Sequence, residues 1–211
     1  MRGFNFKNTE ENSMRMADIL ATATNKANTN LYDLHDAMRY TMSTARDLNL
    51  TFEETAAMAM MAGDAGLQGS MGGTAIENSL RYIIRAVGDS ATSRQMNALD
   101  KIGLSQEDLQ NAEGDMLSIA TVMQKVTSGV KGMGNVGAQN ALIDLFGVRG
   151  KREASLIKND IKSIKEYISL LNNNANGEAL RLLQERMGTL KGESDQLKSS
   201  IENLKIAFTD A

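Results

Sequence analysis

Gly132, Gly134 and Gly137 stand in the spacing G-x-G-x-x-G, the pattern with which a glycine-rich turn cradles a dinucleotide pyrophosphate. That chemistry needs a strand before the turn, inside a βαβ unit. Here the turn follows a helical run from Met116 to Val130, so these glycines read as a connector between helices. No G-K-[ST] follows any glycine cluster, which removes a P-loop. Gly63, Gly66, Gly69 and Gly72 recur at every third residue, with Gly73 adjacent. Glycine permits positive φ and close backbone approach. The cluster therefore reads as a tight corner joining two helices rather than as a ligand loop. His35 is the only histidine and lies beside Asp33 and Asp36. Helix neighbours one or two residues apart do not face each other, and with one histidine there is no His–His metal pair and no alternative to His35 for a His-based triad. Without cysteine there is no disulfide, thiolate nucleophile or Cys-based zinc site. The carboxylates are scattered and none pairs as an acid/base dyad. The expectation is a non-enzyme with no catalytic, metal or cofactor residues.

The chain of 211 residues has no proline and no tryptophan, and only 4% of it is aromatic. At the usual frequency about ten prolines would be expected. Their absence points to uninterrupted helices, because proline breaks the helix interior. Fourteen methionines and many alanines must fill the core positions instead. The longest wholly apolar run, Ala56 to Ala62, is far short of the ~20 residues of a membrane helix, and Met1 to Asn5 carries no apolar signal core. A net charge of −3 argues against a dedicated nucleic-acid binder.

The fold class predicted is all-α, with helices at about 10–27, 31–48, 52–64, 75–88, 91–102, 116–131, 137–146, 151–172 and 178–208. Thr51 with Glu54 and Thr74 with Glu77 fit the capping box, and Ser105 with Asp108 is a looser version. Asn30 precedes an amphipathic run, Leu31, Leu34, Met38, Met42 and Ala45, and Asp115 is placed to cap the run from Met116 to Val130. Alternating strand segments are missing. Charged residues thicken after residue 150, while the glycine clusters precede it. The domains expected are therefore a compact Gly/Ala/Met-rich unit at 1–150 and a coiled-coil-like extension at 151–211.

In that extension Ile157, Ile161, Ile164, Ile168 and Leu171 are spaced 4, 3, 4, 3. Leu180, Leu183, Met187, Leu190, Ser194, Leu197, Ile201, Leu204 and Phe208 then alternate 3 and 4, with Ser194 the one polar member. Such a heptad seam needs a partner to bury it. The two seams are out of phase across Asn172, Asn173, Asn174, Asn176 and Gly177, all turn or cap formers. A helical hairpin and a locally distorted continuous helix both remain open.

Several segments in this order resemble the core region of phage tail tape measure proteins. Ala17–Thr24 (A-D-I-L-A-T-A-T) with Asn28-Thr29-Asn30 is similar to the family's opening helix and turn. Leu48–Ala57 (L-N-L-T-F-E-E-T-A-A) is similar to its G-L-S-x-E-E-T-A-A step, with Asn49 where glycine is usual. Ala65–Ala75 (A-G-L-Q-G-S-M-G-G-T-A) is close to A-G-x-x-G-S-x-A-G-T-A, with Gly72 in place of alanine. Its corner residues are Gly66, Gly69, Gly72, Gly73 and Thr74. Ala98–Ser105 (A-L-D-K-I-G-L-S) and Leu145-Phe146-Gly147 match the L-x-x-L-G-L-S and L-F-G landmarks, and Thr189–Lys198 resembles the amphipathic segment that follows.

The resemblance covers roughly residues 15–205 and implies a structural role in the virion. Tape measure proteins lie as a few extended helical copies inside the tail tube, set tail length and leave ahead of the DNA. The implied partners are other copies of the chain, tail tube and tail-tip proteins, and tail assembly chaperones in the host cytoplasm. Members are usually much longer, so a fragment or a short member is expected. The alternative carried forward is a helical coiled-coil interaction or signalling module.

Overall fold

The computed structural model describes the backbone of residues 9–159 and 161–189, and their side chains except at 148–163. The chain is all-helical. The helices are α1 (Glu10–Lys26), α2 (Leu31–Asp47), α3 (Phe52–Asp64), α4 (Gly69–Val87), α5 (Ser93–Lys101), α6 (Ile119–Val130), α7 (Asn135–Asn159) and α8 (Ile161–Asn173). A single 3-10 turn, Glu107–Leu109, lies between α5 and α6. A further helical stretch, here α9, runs over 178–189. Among the described residues there are no strands, only one isolated bridge between Gln110 and Met116.

The helix starts show how local chemistry sets the boundaries. Thr51 and Glu54 form the expected reciprocal capping box, and Asn30 caps α2 through its side chain. Thr9, Ser118 and the Thr92–Gln95 pair cap α1, α6 and α5. Two expectations are corrected. Thr74 lies inside α4, which begins at Gly69 with Gln68 as an N-cap that makes no side-chain bond. Asp115 does not start α6. The Asn111 carboxamide oxygen instead accepts from the amides of Glu113 and Asp115, closing a turn that delays the helix to Ile119. Ser105 does bond Asp108 through its amide and hydroxyl, but only the 3-10 turn follows.

Three helix ends share one device. After α2, α3 and α5 comes a residue with positive φ, namely Asn49 (53°), Gly66 (78°) and Gly103 (72°), followed each time by leucine. The leucine amide bonds back to the carbonyl five residues earlier: Leu50 to Ala45 at 2.9 Å, Leu67 to Ala62 at 2.7 Å and Leu104 to Leu99 at 3.0 Å. This is the Schellman closure, which satisfies free carbonyls and tucks an apolar side chain under the helix end. Asn49 is the only non-glycine residue with positive φ among those described. We predict that Asn49→Gly raises stability by about 0.5 kcal/mol, because glycine removes the Cβ penalty of the left-handed region. An unchanged urea midpoint would argue against this.

The core is built around α3. Residues Thr55 to Gly63 are buried without interruption, the signature of a helix surrounded on all sides. Its neighbours are α1, α2, α4, α7 and α8. Alanine at 56, 57, 59 and 62 lets those helices come close, while Met58, Met60 and Met61 fill the irregular gaps. Burying each methionine side chain contributes about 1.5–3 kcal/mol. Among the described residues Phe52 and Phe146 are the buried aromatics. Helix α7 is interrupted at Gly147, whose φ 68° and ψ 170° are non-helical, and α8 packs on α3 and α6, burying Ile164, Leu171 and the following Ala175 completely.

Candidate functional site

The glycine corner is the first candidate. Gly66 closes α3, and Gly69 begins α4 at φ 57° beside Asp33. Gly72 and Gly73 are buried within α4, whereas Thr74 is exposed. A Cβ on Gly73 would stand 2.6 Å from the Ala37 carbonyl oxygen and 2.8 Å from the Tyr40 Cβ, and one on Gly72 would stand 2.3 Å from the Leu67 oxygen. The polar groups nearby are spent on joining segments. The Asp64 carboxylate accepts from the Asn28 amide and from the Tyr167 hydroxyl of α8. Gln68 donates its side-chain amide to the Asn28 carbonyl at 2.8 Å. The corner thus ties the α1–α2 turn, the α3–α4 turn and α8 together, and offers no converging set of free polar groups.

The other chemical candidates disperse. Gly132, at φ 96°, and Gly134 lie between α6 and α7, and Gly137 falls in the first turn of α7, so G-x-G-x-x-G links two helices with no strand before it. His35 is exposed. Asp33 accepts from the Asn30 side chain, and Asp36 from Arg39 at 2.7 Å. Among the described residues no three acidic or histidine side chains are grouped to hold a metal ion, and no helix is long and apolar enough to cross a membrane.

The seam residues divide. Ile164 and Leu171 are fully buried, and Ile168 packs against the same core. Ile157 and Ile161 lie in α7 and α8, with side chains outside the described set. Leu180, Leu183 and Met187 are 53%, 55% and 61% exposed, forming an open apolar stripe on α9. Leu190, Leu197, Ile201 and Leu204 lie outside the described residues. Between the two groups the helix breaks over residues 174–177, with Gly177 at φ 78°.

Sequence reasoning missed the polar cluster at that break. The Arg15 guanidinium donates to the carbonyls of Leu171 and Asn172, to the Asn176 side chain at 2.9 Å, and to Glu53 at 3.2 Å. The Asp18 carboxylate is 4% exposed and accepts from the amides of Gly177 at 2.8 Å and Ala179 at 3.0 Å. The signal was present: Asp18 sits on the stripe of α1 that carries buried Ile19, Thr22 and Ala23, where a carboxylate needs donors. Nearby, the Arg181 guanidinium, 2.8 Å away, holds the Glu178 carboxyl below the usual carboxylate range, with Asn25 as a further donor.

The described residues thus form a small-residue helical unit whose polar groups serve caps and junctions, with an open apolar stripe on α9. The chain belongs to the phage-related minor tail protein family, whose model matches residues 1–147. It is therefore a structural component of phage tails, and so of the virion. It is 24% identical over 194 residues to the tape measure protein of Pneumococcus phage Dp-1, covering 90% of this chain and 16% of that protein. It is 21% identical over 200 residues to a probable tape measure protein of Escherichia phage P2, covering 93% of this chain and 24% of that one. The chain thus spans a quarter or less of the curated relatives it matches. No solved structure matches it.

Proposed function

We propose that this chain is a segment of a tape measure protein, one that helps set tail length inside the tail tube and leaves ahead of the DNA. The observation that carries the reading is the alignment along nine-tenths of the chain with two proteins named for that role. The sequence physics agrees with it. A proline-free helical chain has a fixed rise of about 1.5 Å per residue, which suits a ruler. The open stripe Leu180, Leu183, Met187 suits bundling with further copies, and a heptad seam is the usual means. Tail tube and tail-tip proteins are the other partners of this reading, with tail assembly chaperones acting in the host cytoplasm before the protein reaches the tube lumen or tip. The Gly66–Thr74 corner then serves the compact part. We place the start of the extended part at the 174–177 break, where burial stops.

The test is tail length by electron microscopy in a phage whose gene lacks Leu180 to Phe208. Starting there spares Ile164 and Leu171, whose loss would open the core. The deleted stretch of about 29 residues would span at most about 44 Å as one helix. Tails shortened by up to that amount are expected. Assembled tails of unchanged length would overturn the ruler role for this segment.

A further inference from the structure

We propose that Arg15 and Asp18 form a latch: closed, it holds α9 against α1, and opened, it lets α9 and its apolar stripe swing clear of the bundle. This inference concerns the fold's mechanics and does not rest on the length-setting reading.

The first observation is the charge placement. One turn of α1 presents a cation to the C-terminal carbonyls of α8, at Leu171 and Asn172, and an anion to the first amides of the next helix, at Gly177 and Ala179. Helix ends leave such groups without intrahelical partners. The helix dipole favours a cation at the C-terminus and an anion at the N-terminus. Both ends of the break are therefore satisfied by residues 15 and 18 of one distant helix, and Glu53 anchors Arg15 to α3 at 3.2 Å.

The second observation is that, among the described residues, the polar ties of α9 to α1 sit at its N-terminal end, where Asn25 also donates to Glu178 at 3.0 Å. Along α9, Leu180, Leu183 and Met187 stand more than half exposed. An apolar groove lined by Leu20 and Ala21 of α1, Leu31 of α2, and Leu182 and Leu183 of α9 lies where α1 and α9 meet. Burial in this region ends at Leu171 and Ala175. An element with few buried apolar contacts and a localised polar attachment opens at low free energy. Gly177, with φ at 78°, lies at the hinge. The latch works through helix ends, so its residues position α9 rather than bind a ligand.

The experiment uses the full 211-residue chain. Because it has no cysteine, spin labels at Met96→Cys on α5 and Gln184→Cys on α9 are unique, and their separation is read by double electron–electron resonance. Asp18→Asn keeps the shape of the side chain but turns one acceptor into a donor facing an N–H. Arg15→Gln removes the charge at the other helix end. With the latch intact, one narrow distance is expected. Each variant should add a longer, broad component, with hydrogen-exchange protection of Ala56 to Ala62 in α3 unchanged. Unaltered distances in both variants would overturn the latch. So would loss of α3 protection together with the distance change, because Asp18 and Arg15 would then be holding the core and not α9 alone.

Discussion

Gly73→Ala should destabilise the fold by about 1–3 kcal/mol, although alanine is the better helix former. In an exposed helix the same change would gain roughly 1 kcal/mol. Here the added methyl would stand 2.6 Å from the Ala37 carbonyl oxygen, 2.8 Å from the Tyr40 Cβ and 2.9 Å from the Ala37 Cα. Two of these are backbone atoms of α2, and the third is fixed to that backbone. No rotamer change relieves them, so α2 and α4 must move apart. Forcing a methyl into a packed contact costs about 1–3 kcal/mol and at times more. Separating α2 from α4 also loosens Met38, Ile76 and Leu80, all buried. The overpacking term therefore exceeds the propensity gain. The urea midpoint should fall with the slope unchanged. Gly134→Ala is the control: nothing lies within 4 Å of its Cβ position, so its midpoint should stay within about 0.5 kcal/mol of the parent. Equal effects at both positions would refute a crossing held by Gly73.

Local sequence rules reach their limit at the Gly73 crossing. T-x-x-E at Thr51 starts a helix, and T-x-x-E at Thr74 does not. A capping box needs its first residue in an extended conformation. Thr51 has that conformation, but Thr74 follows five helical residues, three of them glycine. Glycine is a poor helix former in isolation, so the run Gly69 to Gly73 reads as a corner. Close packing against α2 outweighs that propensity, an effect that lies outside any local window. Local chemistry did suffice for α2 and α3, where cap and periodicity agree. It also explains the family-like landmarks L-N-L, A-G-L and I-G-L, which the structure shows to be helix closures.

Heptad spacing has a similar reach. It marks Ile164, Leu171, Leu180 and Leu183 alike as wanting a partner, but does not name one. For the first two the partner is the chain's own core around α3 and α6, while the last two remain exposed. The Asp18–Gly177 bond joins residues 159 apart. Only the composition of α1, with a carboxylate on its buried stripe, hinted that such a bond existed.

Gly147→Ala is the second large effect, expected to cost about 2–3 kcal/mol. Gly147 sits inside α7 with φ 68° and ψ 170°, a region essentially restricted to glycine, and holding another residue there costs about 1–3 kcal/mol. An added Cβ would also stand 2.5 Å from the Tyr82 ring. That contact is with the far end of a side chain, which can turn aside, so backbone strain is the larger contribution. Tyr82→Ala in the Gly147→Ala background should therefore restore little stability. Full restoration would mean that the ring contact, not the dihedral, sets the cost. The alternative for the chain is to straighten α7. The kink interrupts the helical ladder and leaves carbonyls of the preceding turn short of donors. The buried Gln95 answers this by donating to the Leu145 carbonyl at 3.2 Å, while also bonding Tyr82 at 3.1 Å and capping α5. Straightening would re-pair Leu145 with its own helix, leave a buried Gln95 donor unmatched, and re-aim the second half of α7. That half delivers the chain to α8, and through α8 to the break from which the open stripe departs. A straightened variant would thus show higher helicity by circular dichroism together with lost protection of Ile164 and Leu171, linking the Leu145-Phe146-Gly147 landmark to where the extended part leaves the bundle.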